Sequence, residues 1–300
     1  MWVLMKRTVL FIGVNCLVIL SLSLAVSLVV GLTGGAVYID PTWIGFYALI
    51  GFGGAFISLA LSRQTAKWML DVKVIDPLTP HLPERQILDL VYRLAREAGL
   101  KTMPEVGIYD SEEVNAFATG PTRSRSLVAV STGLLNRMDG TSVEGVLGHE
   151  ITHVANGDMV TMTLLQGLIN TMVLIAARLL ARLLASAIAS RVDERSRGGV
   201  RYLTYMLLQV VLSIFGSIVV CYFSRRREFR ADAGGARLAG RNSMLAGLRS
   251  LRTVYGDVDD NQQALSTLKI SGHSTRTLAT LFATHPPLEE RIRRLESLPA

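Results

Sequence analysis

Four long apolar runs constrain what this chain can fold into more than any other feature of its sequence. Each is long enough, at a rise of about 1.5 Å per residue, to form a helix that crosses or enters a bilayer core about 30 Å thick. We therefore expect an integral membrane protein with about four transmembrane or membrane-embedded helices. The runs cover residues 8–32, 43–61, 159–177 with a continuation to 189, and 202–223.

The composition supports this class and argues against several others. Half of the residues are hydrophobic, and only 18% are charged, against about 25% in soluble domains. The net charge is +7, but many of the cations flank apolar runs, where topology or anionic lipid accounts for them, so we expect no nucleic-acid partner. Cys16 and Cys221 both lie in apolar runs, which leaves neither a disulfide framework nor a thiolate zinc site.

The flanks of the first two apolar runs predict the orientation of the chain. Lys6 and Arg7 precede the first run, and Arg63 and Lys67 follow the second. Because basic residues accumulate on the cytoplasmic side, we expect the N-terminus and the segment after Arg63 in the cytoplasm. The first run is longer than that of a signal peptide and no small-residue cleavage site closes it, so we interpret it as an uncleaved anchor.

The loop between the third and fourth apolar runs, residues 191–201, fits this orientation poorly. If both runs span the membrane, the loop lies outside, against the usual bias of basic residues toward the inside. A hairpin that enters only one leaflet therefore stays open as an alternative. The basic residues of the loop are Arg191, Arg195, Arg197 and Arg201.

Residues 64–157 carry charges at ordinary density, as in a soluble domain. An apolar stripe with helical spacing predicts a helix over residues 84–98. Short segments rich in β-branched and aromatic residues predict three strands, the last two of which form a hairpin. The strands are expected at residues 105–109, 114–118 and 126–131.

A second soluble helix is predicted over residues 142–155. Thr141 and Glu144 match a capping box, in which the hydroxyl and the carboxylate satisfy free N–H groups at a helix start. Asn156 and Gly157 are typical of a helix end.

This second helix carries an H-E-x-x-H motif at His149, Glu150 and His153. The i, i+4 spacing puts both imidazoles on one helix face, within reach of one Zn²⁺ ion. Glu150 is rotated by about 100° from His149 and can act as the general base for the attacking water. The alternative, two exposed histidines on a surface helix, is the weaker interpretation.

A catalytic zinc site normally has three protein ligands, so a third must lie elsewhere. Glu228 and Asp232 stand at i, i+4 in a helical segment and would face the same way. We expect Glu228 to be the ligand and Asp232 to hydrogen-bond the outer nitrogen of a ligand histidine. Four nearby arginines make a solvated charge face an open alternative. Asp158, just past the helix end, is assigned a structural role.

The sequence resembles the HtpX family of bacterial membrane zinc endopeptidases, which are gluzincin-type proteases related to the CAAX prenyl endopeptidase. The resemblance covers nearly the whole chain, including the order of the apolar runs. The segments that carry it are residues 114–120, 126–135, 148–161 and 228–232.

The resemblance implies one Zn²⁺ per chain, held by His149, His153 and Glu228, with Glu150 as the catalytic base. It also implies a multi-pass protein of the bacterial inner membrane with its active site in the cytoplasm and a role in membrane-protein quality control under stress. The expected substrates are unfolded or misassembled proteins, above all membrane proteins.

The resemblance further implies two additional elements of the site. One is an edge strand to which an extended substrate adds, formed by Asn115, Ala116, Phe117 and Ala118. The other is a C-terminal His-Pro element, which makes His285 or Arg291 a candidate for stabilising the oxyanion. A plain packed strand and a helix start with a solvated charge face are the respective alternatives.

Together these inferences predict a mainly helical α+β membrane protein with a gluzincin-like zinc protease domain and a small β-sheet. Two rival functions are an intramembrane-cleaving metalloprotease and a catalytically silent membrane scaffold with a structural zinc site. The expected divisions are an N-terminal anchor over 1–63, the first part of the protease domain over 64–157, the hairpin over 158–223, and the second part of the protease domain over 224–300. The oligomeric state is left open.

Overall fold

The structure of the chain is a computed structural model that describes residues 41–189, 193, 195–266 and 283–297. The first apolar run, residues 8–32, lies outside the described residues. The chain forms two compact units, one containing residues up to Ala55 and Leu165–Gly216, the other Phe56–Leu164 and the residues from Ser217 onward. The division of the sequence into four parts stays a prediction.

Helices dominate the described residues, and four short strands form one sheet. In chain order the elements are α1 (Pro41–Met69), β1 (Lys73–Val74), α2 (Leu82–Glu97), β2 (Glu105–Tyr109), β3 (Ala116–Thr122), β4 (Arg125–Ser131), α3 (Thr132–Arg137), α4 (Gly140–Asn156), α5 (Asp158–Ala189), α6 (Arg197–Leu238), α7 (Arg241–Ser266) and α8 (Leu288–Glu296).

Within the described residues, three helices are long and apolar enough to cross a membrane. They contain the second, third and fourth apolar runs, which confirms the predicted membrane character of these runs. Large apolar side chains of α6 are exposed, including Leu207 at 60% and Phe215 at 61%, as expected where lipid is the surrounding medium. The candidate spans are Ile44–Met69, Asp158–Leu184 and Arg197–Leu238.

The sheet has the strand order β1-β2-β4-β3. β2 runs parallel to β4, whereas β1 and β3 are antiparallel to their neighbours. β3 is therefore an edge strand, as the sequence analysis expects for the segment that contains Ala116. Residues of α2, β4 and α4 enclose one hydrophobic core, with Leu94, Val128 and Ile151 fully buried.

The predicted soluble elements are confirmed, with three corrections. Asp139, rather than Thr141, caps α4, because its backbone is extended and its carboxylate accepts a 2.7 Å hydrogen bond from the Ser142 N–H. β3 begins at Ala116 instead of residue 114, since the N–H of Asn115 donates to the Ser131 hydroxyl rather than to a strand carbonyl.

β3 also extends four residues further than predicted, to Thr122. The register shifts between Thr119 and Thr122. Gly120, with φ of 143°, lies at this irregularity, and a Cβ there would be 2.2 Å from the carbonyl oxygen of Arg125. Glycine therefore allows the hairpin to close tightly.

Candidate metal centre

Helix α4 carries the H-E-x-x-H motif, and the local sequence fixes both of its ends. Asp139 caps the first turn. Gly157 ends the helix in the left-handed conformation, with φ of 67°, and its N–H donates to the Val154 carbonyl. α4 packs against α7 so closely that a Cβ on Gly145 would meet the Ser243 carbonyl oxygen at 2.1 Å.

The two histidines of the motif lie on one buried face of α4. His149 and His153 are 6% and 7% exposed. Their Nε2 atoms are 3.1 Å apart, as the i, i+4 spacing predicts. Both side chains therefore direct a nitrogen toward a single point.

Glu228 on α6 completes this group. Its carboxylate is fully buried and lies 3.3 Å from the Nε2 atoms of both His149 and His153. Ligand atoms about 2.0–2.1 Å from a tetrahedral zinc ion would be about 3.3–3.4 Å apart, close to the observed separations. The three residues could therefore hold one metal ion, and a solvated charge face is wrong for Glu228.

Two glycines let α6 approach α4 closely enough for Glu228 to reach the histidines. A Cβ on Gly234 would meet Thr152 Cγ2 at 2.2 Å, and one on Gly235 would meet the His149 backbone nitrogen at 2.9 Å. The close approach of α6 to α4 was not predicted from this glycine pair, although two adjacent glycines in a helix are a signal of close packing.

Each histidine has a carboxylate on its outer nitrogen. Nδ1 of His149 is 2.9 Å from Asp232 Oδ1, as expected for Asp232. Nδ1 of His153 is 2.7 Å from Asp158 Oδ2, with both side chains buried. Such partners fix the tautomer and the ring orientation of a metal ligand. From the sequence, Asp158 was assigned only a structural role at the helix end. Its contact with His153 was not predicted, because its position as the first residue of α5 does not indicate which side chain it meets.

These carboxylates set the electrostatics of the histidines. Burial by itself lowers the pKa of His153, but hydrogen bonds to Asp158 and Glu228 outweigh it and raise the pKa to about 9. For His149 burial likewise opposes the charged form, while Asp232 and Glu228 raise the pKa above its usual value. The site therefore attracts positive charge, whether carried by protons or by a metal ion.

The C-terminal His-Pro element lies at the same site. His285 Nδ1 is 2.7 Å from Glu228 Oε2, and its side chain is 61% exposed. Arg291 is buried, and its Nε and Nη2 donate to the two oxygens of Asp232 at 2.9 and 2.6 Å. A solvated charge face is therefore wrong for Arg291, whose contacts hold Asp232 in place.

A second arginine was missed by the sequence analysis. Arg227 Nη2 is 3.0 Å from Glu228 Oε1. It lies in a run of three arginines after the fourth apolar run, which the sequence indicated only as part of the alternative solvated charge face.

A cleft of about 400 Å³ opens onto His149 and Glu228. Glu150 and His285 line it, and so do Asn115 and Ala116 at the start of β3. Phe117 does not, because its ring packs against Tyr109 at a centroid distance of 5.7 Å. Ala118 is not among the lining residues and packs against the hydrophobic core.

Apolar membrane helices together with a buried group that can hold a metal ion, open to a cleft, define the class of membrane-bound metallopeptidases. The chain belongs to Peptidase family M48, which matches residues 81–298. It is therefore a metalloprotease, an enzyme that hydrolyses peptide bonds and acts on protein substrates.

Relatives confirm the resemblance to the HtpX family. The chain is 50% identical to a Protease HtpX homolog of Bacillus pumilus over 302 residues, which covers 97% of this chain and 99% of the relative. It is 49% identical to a Protease HtpX homolog of Bacillus subtilis, with the same coverage. Protease HtpX of Shewanella oneidensis is 47% identical, covering 98% of this chain and the whole relative.

A solved structure supports the fold. The crystal structure of S. mikatae Ste24p matches 93% of this chain with a TM-score of 0.59 and 15% sequence identity. This chain covers 66% of the Ste24p chain. At this level of identity the likeness concerns the fold.

Proposed function

We propose that this protein is a zinc endopeptidase of the bacterial inner membrane that cleaves unfolded or misassembled membrane proteins on the cytoplasmic side, as part of quality control under stress. The observation that carries the proposal is the convergence of His149, His153 and Glu228 on one point, at a cleft that Glu150 also lines. The protein would hold one Zn²⁺ ion per chain through these three residues.

The donor set fits zinc. Two imidazole nitrogens and a carboxylate oxygen are a ligand set of catalytic zinc sites, which leave further coordination positions open. When bound, Zn²⁺ supplies a Lewis acid that polarises the scissile carbonyl and makes water a better nucleophile. The carboxylates of Asp232 and Asp158 would fix the tautomer of the imidazoles, orient them toward the ion and increase their basicity as ligands.

Glu150 would act as the general base. It neighbours His149 on α4 and lines the cleft, where it can accept a proton from the attacking water and pass it to the leaving amine. His285 would donate a hydrogen bond to the developing oxyanion, since its side chain is exposed in the cleft. Arg291 remains the second candidate, although two of its nitrogens already bind Asp232.

The substrate would bind as an extended chain along β3. β3 is an edge strand, and edge strands offer unpaired backbone groups to which a peptide can add. Asn115 and Ala116 line the cleft and connect this edge with the candidate metal ligands. Only an unfolded segment can adopt this extended form, which supports unfolded proteins as substrates. The apolar helices support substrates that share the bilayer.

The two rival functions fit these observations less well. In an intramembrane-cleaving protease the motif would lie in a spanning helix, whereas α4 is not among the candidate spans. In a silent scaffold the metal site would be closed, whereas here Glu150, His149 and Glu228 border an open cleft.

The proposed chemistry is tested with Glu150→Gln in the purified full-length protein. We expect this variant to retain zinc but to lose cleavage of an unfolded membrane protein by about 10²–10⁴-fold or more, because an amide cannot accept the proton. Glu144→Gln is the matched control, since Glu144 lies on the same helix and contacts Arg93. A Glu150→Gln enzyme with wild-type activity would overturn the mechanism, and full activity of the wild type after zinc chelation would overturn the cofactor.

The proposed orientation is tested at the turn between α5 and α6. If both helices span, a cysteine at Ser196 faces away from the cytoplasm. In a background with Cys16 and Cys221 replaced by Ala, we expect Ser196→Cys to react with an impermeant thiol reagent added outside intact cells. Reaction only after the membrane is broken would favour the hairpin that enters one leaflet.

A further inference from the structure

A basic pocket that the peptidase chemistry does not use lies between the last part of α5 and the first turns of α6. Its volume is about 170 Å³. Two arginines come from the last part of α5, and an arginine and two tyrosines come from the first turns of α6. The lining residues are Arg178, Ala181, Arg182, Gly198, Arg201, Tyr202 and Tyr205.

The lining residues favour an anionic ligand. None of them is acidic, and the only acidic residues between 159 and 227 are Asp193 and Glu194. The guanidinium of Arg178 lies 5.7 Å from the ring centroid of Tyr205, a contact that orients it across the two helices. Arginine forks match the geometry of phosphate oxygens and bind them with charge-assisted hydrogen bonds.

The position of the pocket along the helices indicates where the ligand comes from. No charged residue occurs in 159–177 before Arg178, and none occurs in 202–224 after Arg201. Each of these uncharged stretches is about as long as a bilayer core is thick. The pocket therefore lies at one end of two spans, at the level of lipid headgroups, where tyrosine is also enriched.

We propose that the pocket formed by Arg178, Arg182, Arg201 and the two tyrosines binds the phosphate of an anionic phospholipid headgroup. Basic pockets between transmembrane helices are suited to such headgroups. The ligand also gives a role to Arg201, one of the arginines that oppose the positive-inside bias. This site is independent of the catalytic proposal, because none of its residues lines the peptidase cleft.

The test is native mass spectrometry of the full-length protein in detergent, with phosphatidylglycerol and phosphatidylcholine added in equal amounts. We expect one retained phosphatidylglycerol per chain and a preference of about tenfold or more over phosphatidylcholine. Arg201→Gln and Arg182→Gln, one from each helix, should each weaken retention about tenfold, the scale of one charge-assisted hydrogen bond. Arg201 is exposed, so its substitution tests the ligand without disturbing the fold.

The matched control is Arg195→Gln, which removes the same charge from the same turn at an exposed residue outside the pocket. We expect its lipid retention to stay within about twofold of wild type, since surface charges contribute little individually. If Arg195→Gln and Arg201→Gln lost equal amounts of bound phosphatidylglycerol, the pocket would be overturned as the binding site, and a diffuse attraction between the basic turn and the anionic lipid would replace it. Equal retention of both lipids, or complete displacement of phosphatidylglycerol by millimolar inorganic phosphate, would overturn the lipid headgroup as the ligand.

Discussion

The two membrane helices α5 and α6, called here the hairpin, differ from the centre formed by the candidate ligands and their partners. The hairpin exposes apolar side chains, whereas the centre buries charged ones. On α6, Leu207 and Phe215 expose about three fifths of their surface. At the centre, Glu228 is fully buried and Asp232 is 2% exposed. The difference follows from the surroundings of each region. Lipid accepts an exposed apolar surface at no penalty, whereas a charge buried in protein is tolerated only with a partner.

The partners of the buried charges make the centre sensitive to single changes. Glu228 contacts both motif histidines, and Arg291 binds both oxygens of Asp232. Removing one partner of a buried pair leaves the other uncompensated, which costs about 3–5 kcal/mol. A lipid-facing side chain has no such partner to lose. We therefore expect the centre to tolerate substitution far less well than the hairpin.

The sharpest form of this contrast is Glu228→Ala. We expect zinc affinity to fall by more than about 100-fold, because even the outer partner of a metal ligand is worth 10–100-fold, and proteolysis to fall to background. Zinc content and cleavage rate, measured on one preparation, check this. A variant with full zinc content would remove Glu228 from the ligand set and leave Asp158 and Asp232 as candidates.

His285→Ala tests the exposed rim of the centre. If His285 donates to the oxyanion, turnover should fall by about 10²–10³-fold at unchanged zinc content and nearly unchanged KM. If it only starts a helix, melting temperature falls instead and kcat is retained. His81→Ala is the control, since His81 is an exposed histidine that precedes α2 and makes no side-chain capping bond. A stable, fully active His285→Ala enzyme would leave Arg291 as the remaining candidate.

Asp158→Asn tests the centre through the pH dependence of its zinc affinity. With its pKa raised to about 9, His153 holds a proton below that pH in the metal-free enzyme, and zinc must displace it. Apparent zinc affinity should therefore rise by up to about tenfold per pH unit toward pH 9 and then level off. In Asp158→Asn the pKa of His153 falls, so the rise should level off at lower pH, with zinc bound about 10–100-fold more weakly at high pH.

Zinc competition titrations at several pH values measure both effects. Asp89→Asn on the exposed face of α2 is the control for the lost carboxylate. An Asp158→Asn variant with the wild-type pH dependence would show that Asp158 does not act on His153.

The smallest effect is expected from a matched leucine pair. Leu94→Ala empties a fully buried core position and should lower the free energy of unfolding by about 2–5 kcal/mol. Leu207→Ala makes the same change at a residue that is 60% exposed and should leave stability within about 0.5 kcal/mol. Denaturant unfolding in one detergent compares them. Equal losses would mean that Leu207 is packed against protein rather than lipid.

The sequence predicted the elements with strong periodic or spacing signals. The strand over 105–109 and the end of α4 at Gly157 match the structure, because β-branched and aromatic content and a glycine at a helix end are local properties. The His149–His153 pair is likewise local, since one helical turn brings the two residues together.

Features that depend on neighbouring residues or on distant packing were predicted less well. Asp139 and Thr141 are both good capping residues two positions apart, and only the backbone conformation decides between them. The contact of Asp158 with His153 depends on the sharp turn at Gly157. The burial of Arg291 depends on Asp232, which is 59 residues away.

With the site residues proposed above, their order along the chain makes catalytic competence a late event in synthesis. His149 and His153 are translated before the hairpin, Glu228 follows it, and Arg291 comes 142 residues after His149. A nascent or truncated chain that ends within the hairpin holds only the two histidines, which bind zinc weakly. With the proposed ligands, proteolytic activity can begin only when the helix that carries Glu228 and the C-terminal segment that carries Arg291 have been made.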